Sequence, residues 1–214
     1  MPAHSRVLDD HAAATLLTRQ AALQGEAERV VRELKLPERL GELGTFEQIG
    51  SSVSGLMVWP DVDVMVRADH PSAQHIMTAM APVMATRGIR EVLYRDETGE
   101  RSPSGKPSDE RHYFVLRYAA VNGRVWKIDV TVWCSAALRP HRAQAEHLAR
   151  ALSETQRLAV LWIKGEWCER PEYPEEVGGM DVYEAVLHHH VRTPEDFERF
   201  LIQRAGGSAH RSCD

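Results

Sequence analysis

The chain has 214 residues, of which 43% are hydrophobic and 27% charged, and its formal net charge is −5. This composition is typical of a globular protein with a sizeable core, and it excludes collagenous, coiled-coil and wholly disordered chains. The negative net charge argues against a general electrostatic nucleic-acid binder, because such proteins carry a basic excess.

The cysteines and the N-terminus indicate a cytoplasmic location. Cys134, Cys168 and Cys213 lie far apart without CxxC spacing, so we expect neither a disulfide framework nor a zinc site, and a reducing compartment is the default. Acidic residues occupy positions 9 and 10, where a signal peptide would need apolar ones. The longest run without Asp, Glu, Lys or Arg, 70–86, contains two prolines and two histidines, so it is not a membrane span, and we expect no membrane partner.

Strand and helix patterns mix up to about residue 135, and only helices follow residue 140. Asn122-Gly123 between two alternating apolar runs indicates a β-hairpin. This order predicts an α+β fold, with a mixed sheet and flanking helices in 1–138 and a helical C-terminal lobe in 139–214. The predicted elements are, in chain order, a helix over 9–34, strands over 43–49 and 61–67, a helix from 70 to about 87, strands over 89–96, 112–121 and 124–134, and helices over 141–163, 180–190 and 194–204.

Two carboxylates share one face of the strand over 61–67. Residues two apart on a strand point the same way, so Asp61 and Asp63 face one side while the valines at 62, 64 and 66 face a core. Adjacent like charges are unfavourable without a cation between them, and Mg²⁺ prefers such hard oxygen ligands. A solvent-facing sheet edge would give the same pattern.

A third carboxylate, Asp129, stands in the middle of the strand over 124–134, on the same face as Lys127. An unpaired carboxylate is costly in such a place. If this strand lies beside 61–67, the three acids converge and can hold a pair of Mg²⁺ ions for in-line displacement at phosphorus. The alternative is that Asp129 forms an ion pair with Lys127, Arg67 or Arg117.

A small-residue turn precedes the first two carboxylates. Ile49-Gly50-Ser51 is followed by nine residues (52–60) and then by Asp61. Glycine permits close backbone approach, and backbone amides at a turn that leads into a helix attract phosphate. Taken alone, the segment is also compatible with a plain turn.

Together, the Gly-Ser turn, the Asp-Val-Asp-Val strand and Asp129 resemble the polymerase-β-like nucleotidyltransferase superfamily over about residues 43–134. The segment after 140 resembles in layout the helical lobe of small-substrate members, such as the antibiotic nucleotidyltransferases. The resemblance implies a nucleotidyltransferase core in which Asp61, Asp63 and Asp129 are catalytic and hold two Mg²⁺ ions. It also implies that Gly50, Ser51 and Ser52 contact a nucleoside triphosphate such as ATP, with Lys127 as a further candidate for neutralising phosphate charge.

The implied reaction transfers a nucleoside monophosphate to a hydroxyl group of a small molecule or protein and releases pyrophosphate. Either Asp129 or an acid from the C-terminal lobe accepts the hydroxyl proton. The sequence leaves open an RNA-directed enzyme, against which the negative charge argues, and an inactive nucleotide-binding regulatory or toxin–antitoxin module, against which the three acids argue. A Mn²⁺-dependent glycosyltransferase with a D-x-D motif would require neither Gly50-Ser51 nor Asp129.

Overall fold

The computed structural model of the protein describes residues 8–174 and 176–209, with side chains as far as residue 205. No helix in these ranges combines the length and the apolar character that crossing a membrane requires. The strands are β1 (Thr45–Ile49), β2 (Asp61–Arg67), β3 (Ile89–Glu97), β4 (Arg111–Ala119) and β5 (Val125–Trp133). The helices are α1 (Asp10–Glu33), α2 (Leu36–Leu40), α3 (Ser51–Ser54), α4 (Ala73–Met84), α5 (His141–Ala151), α6 (Glu154–Trp167), α7 (Gly179–His188) and α8 (Pro194–Ala209).

Within the described residues, the strands form one mixed sheet in the order β1-β2-β5-β4-β3. The β2–β5 pair is parallel, while β1–β2, β3–β4 and β4–β5 are antiparallel. A parallel pair needs a long connection, and here α4, β3 and β4 supply it. The mixed sheet expected from the sequence is therefore confirmed, and the predicted 61–67 and 124–134 strands are neighbours.

One face of the sheet forms the core. On β2 and β5 the alternate residues are fully buried, as the sequence pattern predicts, and α4 contributes to the same apolar cluster. The opposite face of the same two strands carries the polar side chains, so the strand alternation separates the core from the candidate site. The buried residues of this cluster include Val62, Val64, Val66, Ile128, Val130, Val132, Ile76 and Met80.

The chain divides into two compact units. One unit is Leu23–Arg150 and contains the whole sheet, while the other combines Met1–Ala22 with Ala151–Asp214 and contains α6, α7 and α8. Buried side chains of the second unit include Val160, Ile163, Val182 and Phe197. The domain division expected from the sequence, 1–138 and 139–214, stays a prediction, and the compact units differ from it by grouping α5 with the sheet.

The prediction of a single helix over 141–163 is wrong. The structure has two helices there, because α5 ends at Ala151 and α6 begins at Glu154. Ser153 caps α6, since its hydroxyl accepts a hydrogen bond from the Gln156 N–H at 3.2 Å and Gln156 Oε1 accepts one from the Ser153 N–H at 2.9 Å. This reciprocal capping box satisfies backbone donors that a continuous helix would not expose. The Ser-x-x-Gln pattern of residues 153–156 is typical of a helix start and could have predicted this break.

We expect Ser153→Ala to lower the free energy of unfolding by about 1 kcal/mol, because it removes the acceptor for a backbone N–H at the start of α6. Chemical denaturation followed by circular dichroism measures the change. Ser104→Ala, at an exposed loop position, is the matched control and should leave stability unchanged. Equal stability of the two variants would contradict the assigned helix start.

Candidate metal and nucleotide site

Three carboxylates converge on the polar face of the sheet. Asp61 and Asp63 come from β2 and Asp129 from β5, and one oxygen of each lies within 4.8 Å of the others. The parallel register places Asp63 directly opposite Asp129 and Asp61 opposite Lys127. The three acids were expected to converge if the strand over 124–134 lay beside the strand over 61–67, and the two strands are neighbours in the structure.

These carboxylates are poorly solvated. Asp61 is 8% exposed, and the side chain of Asp129 is 13% exposed. Carboxylates withdrawn from water need hydrogen bonds or cations, because the protein interior screens like charges less well than water does. The site is therefore built to attract positive charge.

Lys127 supplies one positive charge. Its Nζ donates a hydrogen bond to Asp129 Oδ2 at 2.6 Å and lies 3.8 Å from Asp61 Oδ1. Burial by itself lowers the pKa of Lys127, but the charges of Asp61 and Asp129 outweigh burial and raise that pKa above its usual value. The ammonium therefore stays charged, and the sequence-based alternative of an Asp129–Lys127 ion pair is present in the structure.

Tyr113 is a site residue that the sequence analysis missed. Its hydroxyl donates to Asp129 Oδ2 at 2.7 Å. Burial and this hydrogen bond raise the pKa of Tyr113 far above its usual value, so the phenol remains a donor. The signal was available, because the hairpin register places Tyr113 on β4 opposite Thr131 of β5, on the face that carries Asp129.

The donor set fits a hard divalent cation. All three ligands are carboxylate oxygens, which suit Mg²⁺, Ca²⁺ or Mn²⁺, and the cluster contains neither Cys nor His. Asp129 Oδ2 accepts hydrogen bonds from Lys127 and Tyr113, whereas Asp129 Oδ1 is buried and accepts none among the described residues. Asp129 therefore keeps one oxygen available for an ion.

Gly50 lies against the second carboxylate. Its backbone has φ 70° and ψ −151°, a conformation that L side chains rarely adopt. A Cβ at this position would lie 2.2 Å from Asp63 Oδ2. Glycine is thus required both by the backbone conformation and by the close approach to Asp63.

The two serines that follow differ in their surroundings. Ser51 begins α3 and is partly exposed, whereas Ser52 is 3% exposed. The Ser52 hydroxyl donates to the Ile49 carbonyl at 3.2 Å and accepts from Gln48 Nε2 at 2.8 Å, so it is engaged within the fold. The expected nucleotide contacts of Gly50, Ser51, Ser52 and Lys127 remain predictions.

Comparison with known proteins gives a structural likeness only. No known family model matches the chain, and no curated protein does. A cytoplasmic RNA terminal U-transferase matches with a TM-score of 0.54 at 18% sequence identity, over 78% of this chain and 48% of that one. A MgGTP-bound Cid1 poly(U) polymerase matches with a TM-score of 0.48 at 15% identity, over 75% of this chain and 49% of that one.

The likeness to the terminal U-transferase shows that the two chains share a fold, and the mixed sheet with flanking helices is the α+β architecture expected from the sequence. The Cid1 structure, with its TM-score below 0.5, adds nothing to this conclusion. The chain spans about half the length of the structures it matches. The expectation that nucleic acid is an unlikely partner gains no support from this comparison, since the matching structure is that of an RNA terminal U-transferase.

We expect Gly50→Ala to destabilise the protein by more than the 1–3 kcal/mol typical of a strained backbone, because the added Cβ also collides with Asp63. Chemical denaturation measures the loss. Gly105→Ala is the matched control, since Gly105 has φ 67° and nothing within 4 Å of an added Cβ. An equal decrease in the free energy of unfolding for both variants would show that the close approach of Gly50 to Asp63 does not contribute to stability.

Proposed function

We propose that this chain, which has the nucleotidyltransferase fold, transfers a nucleoside monophosphate from a nucleoside triphosphate to a hydroxyl group and releases pyrophosphate. The observation that carries the proposal is the convergence of Asp61, Asp63 and Asp129 within 4.8 Å on two neighbouring parallel strands. Three carboxylate oxygens at one point suit a hard divalent cation.

In this proposal Asp61, Asp63 and Asp129 hold divalent metal, taken to be Mg²⁺. When bound there, the metal would offset the negative charge of the triphosphate and the negative charge that develops during transfer. The acceptor oxygen forms a bond to the α-phosphorus, the bond from that phosphorus to the bridging oxygen breaks, and pyrophosphate leaves with the electron pair. The proton of the acceptor hydroxyl goes to a carboxylate, for which Asp129 and an acid from residues 139–214 are the two candidates.

The Gly50 turn is the proposed cradle for the triphosphate. The turn contacts Asp63 directly, so phosphates bound at its backbone N–H groups would lie next to the carboxylates. Ser51 offers a partly exposed hydroxyl, whereas Ser52 would contribute its backbone because its hydroxyl is engaged.

The acceptor has two candidates. The sequence favours a hydroxyl of a small molecule or protein, because the chain is acidic and shows no recognisable RNA-binding module. The likeness to an RNA terminal U-transferase favours a terminal hydroxyl of an RNA. The fold comparison gives no support to a glycosyltransferase, and an inactive module would have no need of all three carboxylates. A cytoplasmic location stays part of the proposal.

We expect Mg²⁺ together with one or more nucleoside triphosphates to raise the melting temperature of the purified chain. Asp63→Asn should abolish that rise and lower pyrophosphate release by more than about 100-fold. Substituting residues that only support a metal ligand typically lowers activity by up to about 100-fold, and loss of the ligand itself should cost more. Asp69→Asn, an exposed aspartate just after β2, is the matched control and should behave as the unchanged protein. Full activity of Asp63→Asn would contradict the proposal.

The acceptor is tested in the same assay with short single-stranded RNA and with hydroxyl-bearing small molecules in parallel reactions. Lengthening of the RNA on a denaturing gel, dependent on Asp63, identifies RNA as the acceptor. Pyrophosphate release only with a small molecule identifies that class instead.

A further inference from the structure

Lys127 lies within the carboxylate cluster and contacts two of its three acids. Its Nζ is 2.6 Å from Asp129 Oδ2 and 3.8 Å from Asp61 Oδ1, so one ammonium spans carboxylates from both strands. A divalent cation held by these carboxylates would use oxygens of the same two strands. The ammonium and a second cation would therefore compete for those oxygens.

The position of Lys127 is fixed by the sheet. Its backbone N–H donates to the Pro60 carbonyl at 3.0 Å, immediately before Asp61, and the β2–β5 register places Lys127 opposite Asp61. Its side chain is 20% exposed. Because backbone pairing holds Lys127 beside Asp61, the ammonium belongs to the architecture of the site.

The coordination of Asp129 leaves room for one ion. Oδ2 already accepts hydrogen bonds from Lys127 and Tyr113, and an ion bound to it would lie in contact with the ammonium, a like charge. Oδ1 is the remaining oxygen of Asp129. One divalent cation and one ammonium together balance the charge of three carboxylates.

We propose that Lys127 takes the place of one of the two metal ions, so that the site works with a single divalent cation and this ammonium. This inference rests on the proposed function and changes the ion count implied by the sequence resemblance from two to one. Asp61, Asp63 and Asp129 Oδ1 bind the single ion, while Lys127 and Tyr113 keep Asp129 Oδ2.

The number of bound ions tests the inference. Mn²⁺ replaces Mg²⁺, the protein is saturated with a non-transferable α,β-methylene nucleoside triphosphate, and free Mn²⁺ is measured by electron paramagnetic resonance. We expect one Mn²⁺ per complex in the unchanged protein and in Lys127→Arg, and two in Lys127→Met. Two ions in the unchanged protein or in Lys127→Arg would overturn the inference but leave the proposed function standing. No bound ion in the unchanged protein would instead contradict the proposed function itself.

Thermal stability without metal gives a second readout. In EDTA, Lys127→Met should melt at a lower temperature than the unchanged protein, because the three carboxylates lose their only ammonium within the described cluster. Mg²⁺ should then raise the melting temperature of Lys127→Met by more than it raises that of the unchanged protein. Lys106→Met, at an exposed loop position, controls for loss of a lysine. A Lys127→Met variant that melts like this control in EDTA and gains no extra stability from Mg²⁺ would contradict the inference.

Discussion

The repulsion among three carboxylates held close together is the constraint on which the candidate site depends. Parallel pairing of β2 with β5 brings Asp63 opposite Asp129 and leaves Asp61 beside Lys127. Parallel pairing requires a long crossover, so α4, β3 and β4 separate the two strands in sequence and at the same time complete the sheet. Lys127 and Tyr113 lower the cost of this repulsion by donating hydrogen bonds to Asp129.

Three residues lie directly against the carboxylate cluster. Lys127 brings an ammonium, Tyr113 a hydroxyl donor, and Gly50 a backbone that approaches Asp63 without a side chain. Each comes from an element that the sheet topology places there, since Lys127 lies on β5, Tyr113 on β4 and Gly50 directly after β1. The polar face of one sheet therefore supplies both the charges and the groups that stabilise them.

The sequence was sufficient for the strands and for the three acids, because alternation on β2 and β5 separates core valines from carboxylates. The Asn122-Gly123 hairpin sets the register between β4 and β5, and this register would have placed Tyr113 on the same sheet face as Asp129. The sequence did not decide between a metal site and an ion pair for Asp129, because that choice depends on distances between side chains on different strands. The structure contains the Lys127–Asp129 ion pair, whereas the metal site stays a prediction. The break between α5 and α6 was missed because apolar periodicity continues through Leu152 while the Ser153 capping box interrupts the backbone.

The most direct test of the central claim, that Asp61, Asp63 and Asp129 together bind a divalent cation, is anomalous X-ray diffraction from crystals grown with Mn²⁺ and a nucleoside triphosphate analogue. The account predicts an anomalous peak within coordination distance of all three carboxylates. A well-ordered site without any such peak at saturating Mn²⁺, with the carboxylates satisfied by Lys127 and Tyr113 alone, would contradict it.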